Sequence, residues 1–152
     1  MPVAVRNKNK NKIPLFANIA VACLGIVVSS CLFAEEIAVT QAKSSYTQLS
    51  LSSIRAVFSM RLSTWPDGSP IKVFVLPDRH PEHARFARGV LNMFPYQLRR
   101  EWDRQVYSGT GVAPIEVPDV ETMKRRIAQT PGAIGYLDEE AVDSSIQAIH
   151  VE

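Results

Sequence analysis

Ile71-Lys72-Val73-Phe74-Val75-Leu76-Pro77-Asp78-Arg79-His80-Pro81-Glu82-His83-Ala84-Arg85-Phe86 is the stretch on which the fold turns. Its first six residues are apolar on both faces apart from Lys72, the composition of an inner strand covered on two sides. From Glu82 the spacing changes. Phe86, Val90 and Met93 recur on one face with Arg85 and Arg88 off it, which predicts a helix from about Glu82 to Met93. Gly89 weakens that helix or lets a neighbour come close. A strand that runs straight into a helix presents unpaired backbone N–H groups and a partial positive charge at the junction. With Arg79, His80 and His83 beside it, the junction is a candidate anion site. The plainer reading is that these three side chains solvate an exposed helix end.

Toward the N-terminus, Trp65-Pro66-Asp67-Gly68 is a turn, with Trp65 as a packing anchor. Before it, Ser50 caps a helix over residues 51 to 59 whose Leu51, Ile54, Val57 and Phe58 form one buried face. Glu36 to Thr40 reads as a strand, followed by the polar stretch Gln41 to Gln48. Toward the C-terminus, Pro95 opens a third helix with a Leu98, Trp102, Val106 stripe. Ser108-Gly109-Thr110-Gly111 is a connecting loop, and Pro114 and Pro118 bracket an extended piece. Asp119 caps a fourth helix with Val120, Met123 and Ile127 inward and Lys124-Arg125-Arg126 outward. Pro131-Gly132 ends it. Strands follow at Ala133 to Leu137 and Ile146 to Val151, with a short acidic helical turn around Asp138 to Val142 between them. Strands alternating with helices predict an α/β fold, a mostly parallel sheet flanked by helices.

The chain has 152 residues, 46% of them hydrophobic and 21% charged, which suits one folded domain. Residues 1–34 read separately. Arg6, Lys8, Lys10 and Lys12 stand without any acid, and Ile13 to Phe33 is almost uninterruptedly apolar, the pattern of an export signal. Three outcomes stay open: cleavage after Ala34, lipidation of Cys31 in Val28-Ser29-Ser30-Cys31, or an uncleaved anchor. Each places residues 35–152 outside the inner membrane, in the periplasm. Both cysteines, Cys23 and Cys31, lie in the leader, so a chain cut after Ala34 has no disulfide framework, thiol nucleophile or zinc site. The leader also carries four of the 17 basic residues and none of the 15 acidic ones. Without it the balance is 13 against 15, a net charge of −2 rather than +2, and nucleic acid is not an expected partner.

Phe58, the Trp65 to Gly68 turn, the strand into Pro77, Phe86, Trp102, Gly109-Thr110-Gly111 with Pro114, and Pro131-Gly132-Ala133-Ile134-Gly135-Tyr136 occur in a recognisable order. Over residues 36 to 149 the chain resembles the phosphate-binding substrate-binding proteins of ABC transporters, and more closely their short, single-lobe relatives. The resemblance implies a type II periplasmic-binding-protein lobe that holds phosphate or a related oxyanion, is not an enzyme, needs no cofactor, and works with a transporter permease. About 118 residues after the leader supply one lobe of the family's two, so the chain either binds weakly on an open face, completes its site with another chain, or does not bind phosphate. Arg79 and Phe86 match the family's arginine and phenylalanine by position, and the provisional anion site is Ser44 and Ser45, placed after the first strand, with Arg79, His80 and His83. The family's Ser-Gly-Thr cradle is missing between Arg79 and Phe86, and Glu82 stands there instead. Two like charges at ~4 Å repel by about 4 kcal/mol at an effective dielectric of about 20. The alternative is a lobe that keeps the fold as a structural or interaction module. An enzyme or metal site on His80, Glu82 and His83 is a third reading, opposed by Pro81 between them.

Overall fold

The structure, a computed structural model, describes the backbone of residues 36–41 and the whole of residues 44–152. The leader, with its cleavage, lipidation or anchoring, lies outside the described residues. A five-stranded sheet forms the centre: β1 (Glu36–Gln41), β3 (Lys72–Val75), β4 (Ile115–Glu116), β5 (Ala133–Asp138) and β6 (Ile146–Ala148), in the order β4-β3-β5-β1-β6. β3 runs parallel to β4 and to β5, with Phe74 opposite Ile115 and Lys72 opposite Ala133. β1 lies antiparallel between β5 and β6. Four of the five strands therefore point the same way, as the alternation of elements predicts, with β1 as the reversed member. The expected last strand is divided: β6 joins the main sheet, while β7 (His150–Val151) pairs in parallel with β2 (Gln48–Leu49).

Among the described residues, four α-helices flank the sheet. In α1 (Leu51–Phe58) the Ser50 hydroxyl accepts the Ser53 N–H, and Ile54, Val57 and Phe58 are buried. α2 (Pro81–Gly89) ends a turn earlier than the apolar spacing predicts. Gly89 is the poorest helix former after proline, and Asn92 then adopts a left-handed φ of 51° that turns the chain. α3 (Pro95–Tyr107) buries Leu98 and Trp102, and the Trp102 indole N–H donates to the Phe58 carbonyl at 2.7 Å. Val106, expected on the same buried stripe, is exposed instead. α4 (Val120–Gln129) starts at Asp119, whose carboxylate accepts the Thr122 N–H at 2.7 Å, and buries Met123 and Ile127.

The Pro131 to Tyr136 motif has a packing explanation. Gly132 has a φ of 73°, and a Cβ there would run into the Pro70 carbonyl oxygen. At Gly135 a Cβ would stand 2.6 Å from Ile127 Cδ1 and 3.0 Å from Met123 Sδ, so this glycine lets α4 lie close on β5. Tyr136 closes the core. Its ring stacks on Phe86 at 4.1 Å, and Phe58 meets Phe86 edge-on at 4.7 Å. Trp65 is the anchor its turn predicts, stacked on Tyr46 at 4.4 Å with its indole N–H donating to the Gly132 carbonyl.

Candidate functional site

Ligands of open α/β sheets bind beyond the carboxyl ends of the parallel strands, and there the chain from Pro77 to His80 turns into α2. His80 is the N-cap: its Nδ1 accepts the Glu82 N–H at 3.3 Å, so the ring closes the helix start. Arg79 is exposed and makes no hydrogen bond or ion pair with any described residue.

His83 is elsewhere than the sequence suggests. It is fully buried, three residues before Phe86 and on the same helix face, and that spacing was the available signal. Its Nδ1 lies 2.6 Å from the Tyr136 hydroxyl, whose oxygen also accepts the Leu76 N–H at 2.7 Å. The other ring nitrogen, Nε2, has no hydrogen-bond partner among the described residues and faces Asp78 Oδ1 at 3.8 Å. Burial holds the imidazole below its ordinary pKa, against the smaller opposing pull of Asp78. His83 has no exposed surface and lies beneath the junction.

Asp78 joins His83 to a surface network with no local sequence signal. Arg99 grips its carboxylate through both Nε and Nη2, at 3.0 and 2.7 Å, and reaches Glu116 on β4 at 3.2 Å. These hydrogen bonds raise the Arg99 pKa, and its guanidinium stacks over Trp102 at 4.8 Å. On the other side, Arg85 bridges Asp138 at 3.3 Å and Glu82 at 3.8 Å. Burial raises the Glu82 pKa, with Asp138 adding to the rise. Both helix starts here are thus capped by the protein's own side chains, His80 Nδ1 on α2 and the Asp119 carboxylate on α4. The backbone that would cradle an anion is partly occupied.

Ser44 and Ser45 are not brought to this edge. With Lys72 and Gly132 they line an open depression of about 400 Å³ at the amino ends of β3 and β5. Six extended residues, ~20 Å, separate Lys72 from Asp78. The structure thus keeps Arg79 and His80 together, buries His83, and leaves the two serines at the opposite edge. The loop hydroxyls of Ser108 and Thr110 are also spoken for, since both bond the Gln105 carbonyl at the negative end of α3. Among the described residues no group of three metal-binding side chains occurs.

The class these elements define is a fold class, a single α/β lobe of the periplasmic-binding-protein type. The chain is similar in fold to a protein described as a phosphate ABC transporter substrate-binding protein from Clostridium perfringens, solved with bound phosphate (TM-score 0.61, 19% identity, 77% of this chain and 44% of that one). It is similar also to an ABC-type phosphate transport receptor from Vibrio cholerae (TM-score 0.57, 16% identity, 77% and 46%). A third is PstS from Borrelia burgdorferi (TM-score 0.60, 12% identity, 78% and 47%). The chain spans less than half the length of each. No protein-family model matches the sequence, and no curated protein does.

Proposed function

We propose that the chain is an extracytoplasmic solute-binding protein that holds phosphate or a related oxyanion on the open carboxyl edge of its single lobe, in association with ABC-type transport. One observation carries the reading: Arg79, unpaired among the described residues, stands at the strand-to-helix junction of a fold shared with phosphate receptors. Arg79 supplies the charge and α2 the dipole, while His80 keeps the helix start closed. The other wall of the site comes from a second lobe on another chain or from a transporter permease. The leader, as an export signal or anchor, would deliver the domain to the periplasm. Among the described residues no helix is long and apolar enough to cross a membrane.

Calorimetric titration of the purified chain with inorganic phosphate tests this. Saturable binding is expected. Arg79→Ala should weaken it about 10- to 100-fold, the worth of one charged hydrogen bond, and Glu82→Gln should tighten it by removing a like charge. A flat titration at millimolar phosphate would leave the lobe as an interaction module.

A further inference from the structure

Phe94 is the N-cap of α3, a position where serine, threonine, aspartate and asparagine are favoured because their oxygen accepts a backbone N–H. Half of a capping box is present: the Gln97 side chain accepts the Phe94 N–H at 2.8 Å. The reciprocal half is missing, since phenylalanine has no acceptor. The ring is not buried in the core either. It is 48% exposed and stacks at 5.7 Å on Tyr96, itself 59% exposed, while the Arg88 guanidinium lies 5.2 Å over its centre. Beside the rings is an open depression of about 410 Å³ lined by Met93, Gln97, Arg100, Glu101 and Arg104. Glu101 is committed to Arg61 and Arg104, whereas Arg88 and Arg100 have no carboxylate partner among the described residues.

We propose that this patch is a docking site for an anionic phospholipid surface, with Phe94 and Tyr96 entering the headgroup region and Arg88 and Arg100 meeting lipid phosphates. Paired amphipathic rings flanked by arginines suit the membrane interface. The positive charge repels a second copy of the same patch. Four side chains are also few beside the 20–30 residues a side that a stable protein interface uses, but they suffice for adhesion when the leader, as an anchor under the function proposed above, keeps the chain at a bilayer.

The test is hydrogen exchange of the full chain reconstituted in vesicles of phosphatidylcholine alone or with phosphatidylglycerol, followed over residues 88–100. Phosphatidylglycerol should slow exchange there. Loss of both charges in Arg88→Gln with Arg100→Gln should weaken the association about 30-fold. Phe94→Ser completes the capping box, so it should raise the melting temperature while losing the protection, which separates docking from folding. Equal exchange in the two lipids would overturn the proposal. So would protection that survives these substitutions, that inorganic phosphate alone reproduces, or that grows with protein concentration in the absence of vesicles.

Discussion

Burial of His83 makes the fold sensitive to acid. Because its folded pKa lies below the unfolded value of about 6.5, its contribution to stability is fully present above that pH and lost as pH falls through the folded value. Denaturant midpoints should therefore drop from pH 7 to pH 5, and His83→Gln should flatten that dependence. Glu82 has the opposite sign. Its folded pKa is raised, so its contribution is present below the ordinary carboxylate pKa and lost as pH rises through the folded value. Glu82→Gln should accordingly raise the melting temperature at pH 7 and not at pH 3.5. Tyr136→Phe strands the Leu76 N–H and one His83 nitrogen in the core, at about 1–3 kcal/mol for each. Equilibrium denaturation measures that loss. Gly132→Ala combines a left-handed backbone, about 1–2 kcal/mol, with a collision against rigid main chain. Gly135→Ala meets only the flexible ends of Ile127 and Met123, so it should be the milder change, about 1–3 kcal/mol.

Elements with their own local chemistry were legible in the sequence: the Ser50 and Asp119 caps, Pro95 at the start of α3 and the turn at Trp65 all stand where their residues predict. Asp119→Ala should lower stability through the lost Thr122 bond, seen as a lower denaturant midpoint with unchanged slope. Less legible were features decided by distant partners. The apolar period of α2 continues to Met93, yet Gly89 and the left-handed Asn92 end the helix first. Val106 keeps the period of α3 but lies beyond the core that Trp102 reaches. The site divides in the same way. Arg79 and His80 follow from a strand meeting a helix, whereas the Asp78–Arg99–Glu116 network joins three elements across the chain, and hydroxyls at Ser44 and Ser45 carry no mark of which sheet edge they occupy.

At the scale of the molecule, β1 is the keystone of the sheet despite being the first strand. Thr40 pairs with Ile134 on one side and with Gln147 on the other, 94 and 107 residues later. A chain lacking Glu36–Gln41 leaves β5 and β6 without their common neighbour, and its thermal unfolding should lose cooperativity, a result calorimetry would show directly. The same pairing governs the order of events during synthesis. Contacts of such long range are slow to form because the loop between them must close first. The helices can form as they emerge, but the sheet stays open until β5 and β6 are available to clasp β1. A polypeptide that waits this long for β5 and β6 stays incompletely folded for most of its synthesis.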